Sequence, residues 1–100
     1  MKEKVTRIEG RKTQKFDFKF NDDVLEYEIQ EPSFDQLTAS LAQVKTNGGI
    51  DAIGAGKVIW ELCCVAHDVE IEDNPKILLA VCISLANEYA YPIDLEIKKK

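Results

Sequence analysis

A chain of 100 residues, 45% hydrophobic and 31% charged, has the size and balance of one folded domain, which excludes a disordered chain, a collagen or a low-complexity fibre. The net charge of −5 is unevenly spread: residues 1–19 hold seven basic side chains against three acidic ones, Lys98, Lys99 and Lys100 close the chain, and residues 20–97 hold three lysines against 15 carboxylates. An acidic body repels phosphate backbones, so duplex nucleic acid is not expected as a partner.

Residues 1–13 are polar and without periodicity, and read as a basic N-terminal arm or frayed extension. No apolar stretch follows them, so no secretory signal is expected. The single domain is expected over residues 14–97, with 98–100 as a basic tail. The basic ends read as solvated termini, with contact to nucleic acid and docking of an arm on the acidic body of a neighbouring copy as the other two readings.

From Phe16 the pattern alternates strictly, with Phe16, Phe18 and Phe20 on one face and Asp17 and Lys19 on the other. Asn21-Asp22-Asp23 is turn chemistry. Leu25, Tyr27 and Ile29 then alternate with Glu26, Glu28 and Gln30. Together these predict a β-hairpin with one aromatic face and one charged face. A lone hairpin is marginal in water, so the aromatic face needs a cover.

That cover begins at Pro32-Ser33-Phe34-Asp35-Gln36, a capping box in which Ser33 and Gln36 satisfy each other's backbone N–H groups. Phe34, Leu37, Leu41 and Val44 form one apolar stripe behind it, and Asn47-Gly48-Gly49 is a helix stop. A second helix is expected from Ile50 or Asp51 to Ala66, its Gly54 and Gly56 either weakening the first turns or admitting another backbone closely. His67 to Asp73 reads as an extended acidic connection. Asn74-Pro75 starts a third helix running to about Ala90, with Asn74 as cap and proline where its missing N–H costs nothing. Ile93, Leu95 and Ile97 alternate with Asp94 and Glu96, a candidate short C-terminal strand joining the hairpin. The fold class is therefore α+β: a hairpin followed by a three-helix bundle.

None of the chemical motifs is complete. Gly54-Ala55-Gly56-Lys57 lacks the leading glycine of a phosphate loop, with Asp51 in its place, and Val58 stands where Ser or Thr would hold magnesium. Cys63, Cys64 and His67 are the metal-like cluster, with no second pair of Cys or His to complete four ligands. The same thiols, flanked by Leu62 and Val65, lack the electropositive surroundings of a nucleophile. Asp68, Glu70, Glu72 and Asp73 lack the glycine and the final glutamate of a calcium loop. No catalytic residue, metal ligand or cofactor is assigned, and the chain is not read as an enzyme. The odd cysteine count suggests reduced thiols and a cytoplasmic setting. The longest apolar run, Ile77 to Ile83, is far short of the roughly 20 residues that span a bilayer. Trp60, Ile59, Leu62, Tyr89 and Tyr91 are the candidate partner-binding residues, because amphipathic aromatics and apolar helix positions become interface anchors when exposed.

The basic lead, the aromatic hairpin from Phe16 to Ile29, the Pro32-Ser33-Phe34 helix entry, the glycine-containing middle helix and the apolar last helix resemble the small tail assembly chaperones of tailed bacteriophages, over roughly residues 14–97. The resemblance implies a non-catalytic protein of the host cytoplasm that coats a helical tape measure protein, keeps its apolar surface from aggregating and aids recruitment of tail tube subunits. It carries no functional residue over by position. Read from the residues, self-association through the second or third helix is another use of their surplus apolar surface. A structural adaptor that oligomerises through the same apolar surface and stays in the final assembly is the alternative.

Overall fold

The computed structural model describes residues 1–42 and 52–90. Its elements are β1 (Lys2–Glu3), β2 (Thr13–Phe20), β3 (Asp23–Gln30), α1 (Phe34–Leu41), α2 (Ala52–Cys63), β4 (Cys64–His67), α3 (Val69–Asp73) and α4 (Pro75–Leu85), which runs on through a π-type turn at Ala86–Ala90. The fold is α+β, with four antiparallel strands in the order β1-β4-β3-β2. The expected stop at Asn47-Gly48-Gly49, the last position of the first stripe (Val44), the strand at 93–97, Tyr91 and the basic tail lie outside the described residues.

The hairpin forms in the register its alternation predicts, with Phe16 opposite Tyr27 and Phe18 opposite Leu25. Asn21 takes a φ of 56° at the turn, a left-handed conformation that Asn tolerates better than most residues. Leu25, Tyr27 and Ile29 are buried under the helices, and the Phe16 ring stacks on Tyr27 at 5.1 Å between centroids.

Two expectations about the sheet are corrected. The second helix ends at Cys63, and residues 64–67 form β4 alongside β3. Strand wins here because β3 otherwise offers its inner edge unpaired, and Cys64 and His67 can face the core opposite Ile29 and Tyr27. A register shift between Glu28 and Ile29 accommodates the extra residue of β4. The ladder then continues past the strand: Asp68 N–H donates to Glu26 O at 3.0 Å, and Glu26 N–H donates to Asp68 Oδ2 at 2.8 Å.

The N-terminal arm is not a frayed extension. Lys2 and Glu3 pair with His67 and Ala66, and the N–H groups of Lys4 and Val5 donate to Val65 O and Cys64 O. The chain then crosses the charged face of β3. Arg7 forms a two-pronged ion pair with Glu28, with Nη1 to Oε1 at 2.9 Å. Gln30 accepts from Ile8 N–H and donates to Thr6 O. Glu28 and Gln30, expected in solvent, are thereby buried with their polar atoms satisfied.

The capping box at α1 is complete, with Gln36 N–H to Ser33 Oγ at 3.1 Å and Ser33 N–H to Gln36 Oε1 at 3.0 Å. The stripe behind it is only partly used. Leu37 packs on the core, whereas Phe34 is 83% exposed and Leu41 is also exposed. The expected extended connection is also corrected: after His67, residues 69–73 make one short helix, because that turn drops Ile71 fully into the core. Asn74 caps α4 by accepting from Lys76 N–H, with Pro75 in the first turn.

Candidate protein-binding groove

The two long apolar helices, α2 and α4, meet backbone to backbone. A Cβ built on Gly56 would lie 1.6 Å from the carbonyl oxygen of Cys82, so only glycine permits this crossing. Of the two roles open to Gly56, close approach is the one realised. Ala55, Ala86 and Ala90 make a second small-residue contact between α2 and the π-type turn, and Ser40 Oγ donates to Ala55 O beside it.

Beside the crossing runs an open groove of about 230 Å³, lined on its apolar side by the exposed Ile53 and Leu79, by Pro75 and Leu78, and by the buried Cys82 and Trp60. Lys57 and Glu61 give its rim one charge of each sign. Ile53 and Leu79 are 46% and 43% exposed, and Ile83 continues the α4 side as another exposed apolar residue. Helix-in-groove recognition in general uses apolar grooves of this kind.

The sequence-derived candidates divide. Ile59 and Trp60 are fully buried and are removed from the set, because the core takes them. Trp60 packs edge-on to Tyr27 at 5.8 Å and against His67 at 5.1 Å. Leu62 is exposed on α2. Tyr89 is half-buried, its ring edge-on to Phe16 at 6.4 Å, and Tyr91 lies outside the described residues. Ile53, Leu79, Ile83 and Phe34 were not singled out as binding residues. Burial on an all-apolar helix is decided by its neighbours, and periodicity carries no signal for it.

Trp60 also belongs to a polar cluster at the end of α2. Its indole N–H donates to Glu72 Oε2 at 3.0 Å, and Lys4 Nζ donates to the same oxygen at 2.8 Å. Lys4 reaches Glu61 as well, at 3.3 Å. The hydrogen bond from Lys4, followed by that from the indole, holds the Glu72 carboxyl down at about 2. His67 is buried beside it. Its Nδ1 faces Asp68 O at 2.8 Å, a carbonyl that can only accept, so Nδ1 carries hydrogen. Its Nε2 lies 3.1 Å from Glu72 Oε1 but off the line of a hydrogen bond. The cluster ties the arm, α2, β4 and α3 together.

Cys63 and His67 do not share a helix face, since one ends α2 and the other ends β4. All three thiols are buried, and that burial raises Cys63 and Cys82 to about 11 and Cys64 to about 12, leaving them protonated at neutral pH. Among the described residues no group of three or more His, Cys, Asp or Glu side chains converges to hold a metal. None of the described helices is long and apolar enough to cross a membrane.

No family model, curated protein or solved structure matches this chain.

Proposed function

We propose that this chain is a non-catalytic protein-binding module that takes the apolar face of a helical client into the α2–α4 groove. The observation that carries the reading is the exposure of Ile53 on α2 and Leu79 on α4, which line one groove together with Lys57 and Glu61. Exposed apolar side chains on an acidic body suit a holding role, because they offer contact area while net charge opposes self-precipitation. With the resemblance to tail assembly chaperones, the client is a long helical polypeptide of the tape measure class, shielded until tail tube subunits are recruited, in the host cytoplasm.

Light scattering tests it. The longest coiled-coil product encoded beside this chain is diluted from denaturant with and without the protein. Suppression of scattering by the unmodified chain, and its loss in Ile53→Glu and Leu79→Glu variants with unchanged circular dichroism, is the expected result. Equal suppression by the two variants would remove the groove from the mechanism, and no suppression by any of them would remove the holding role.

A further inference from the structure

The outer edge of β2 presents a second kind of chemistry, on the hairpin rather than between the helices. Among the described residues β2 pairs on one side only, with β3. Alternate N–H and C=O groups of an eight-residue strand therefore face outward and are able to pair with another strand. Along it Lys15, Asp17 and Lys19 lie on the solvent face, while Phe16 and Phe18 lie half-buried on the helix face with Phe20 more exposed.

Two copies of β2 related by a two-fold axis pair antiparallel, and residues of the same parity oppose one another. Three registers bring the central residues together. Centred on Asp17, the pairing sets Asp17 against itself and Lys15 against Lys19, with like charges directly opposite at every solvent-face pair. Centred on Phe16, it matches Lys15 with Asp17 but sets Phe18 against Gln14 and Phe20 against Lys12. Centred on Phe18, it sets Asp17 against Lys19 twice, Phe18 against itself and Phe20 against Phe16, so that charge and aromatic ladders agree.

We propose that the β2 edge is a self-association surface, joining two copies of this chain into one continuous antiparallel sheet in the register centred on Phe18. The pairing covers the exposed Phe20 ring. The proposal rests on the strand's charge order and is independent of what the groove binds.

Sedimentation equilibrium of the full chain at low salt tests it, with variants on exposed positions. The unmodified chain is expected to dimerise. Asp17→Lys sets like charges opposite twice and is expected to raise the dimer Kd about tenfold or more. The double exchange Asp17→Lys with Lys19→Asp restores both pairs and is expected to return Kd to within about threefold of the unmodified chain. Lys15→Glu, which faces Asn21 in this register, is expected to change Kd little. A chain that stays monomeric at hundreds of micromolar overturns the proposal, as does a dimer indifferent to Asp17→Lys, which would assemble through another surface. Failure of the double exchange to recover, as when a different segment of the chain occupies the edge, overturns it too. Weakening by Lys15→Glu equal to that by Asp17→Lys overturns the register.

Discussion

The Cα of Gly56 sits so close to the carbonyl of Cys82 that a Cβ there would lie 1.6 Å from the oxygen and 2.4 Å from the carbonyl carbon. Both contacts are to backbone, so no rotamer change can relieve them. Helix propensity alone favours alanine over glycine by about 1 kcal/mol. Gly56→Ala is nevertheless expected to destabilise the protein by roughly 2–4 kcal/mol, since α2 and α4 must separate. Urea unfolding checks this, and an unchanged or higher midpoint would show that the helices do not cross here.

Glu72 links acid stability to the polar cluster. Its carboxyl is held at about 2 against an ordinary 4.5 by Lys4 and then the Trp60 indole. A depressed carboxylate stabilises the fold above its unfolded-state pKa, and that contribution is lost as pH falls through the folded value. The window is therefore pH 4.5 to 2. Because Glu72 is partly exposed, the contribution is roughly 1–2 kcal/mol after discounting for solvent screening. Glu72→Gln is expected to lower stability at pH 7 by that amount and to flatten its decline across the window, as read by thermal unfolding at a series of pH values.

The Gln36 side-chain oxygen accepts from three directions: Ser33 N–H at 3.0 Å, Arg11 Nη1 at 3.3 Å and Cys63 Sγ at 3.4 Å. One atom thus joins the cap of α1, the arm and the end of α2. Gln36→Ala is expected to cost about 1–3 kcal/mol, whereas Gln36→Glu keeps an acceptor in place and retains most of the stability. Denaturant midpoints check the acceptor role with a third variant: Gln36→Met keeps the length of the side chain without the oxygen and is expected to fall with alanine, whereas a packing role alone would leave it beside glutamate.

The three thiols give a kinetic check. Each is buried and pushed up to about 11 or 12 by that burial. A disulfide reagent at pH 7.5 is expected to label the folded chain slowly, with all three thiols reacting at once in denaturant. One rapidly labelled thiol in the native protein would contradict the burial of that thiol.

What the amino-acid order settles by itself is local. Alternation set the β2–β3 register, Ser33 and Gln36 set the entry to α1, and Asn74-Pro75 set the start of α4, because each signal involves neighbours along the chain. The fate of Cys64-Val65-Ala66-His67 was not legible, since a short apolar run suits a buried helix end and a buried strand equally well. Only the vacant edge of β3 decides between them. The arm looked solvated because its partners, Glu28, Gln30 and Glu72, lie 20 to 70 residues away in sequence. The sequence put Trp60 among the binding candidates and passed over Leu79, and the tertiary structure reversed them. The crossing at Gly56 turns the indole toward Tyr27 and His67 and leaves Leu79 at the groove, because burial depends on which surfaces meet and periodicity reports only which surfaces are apolar.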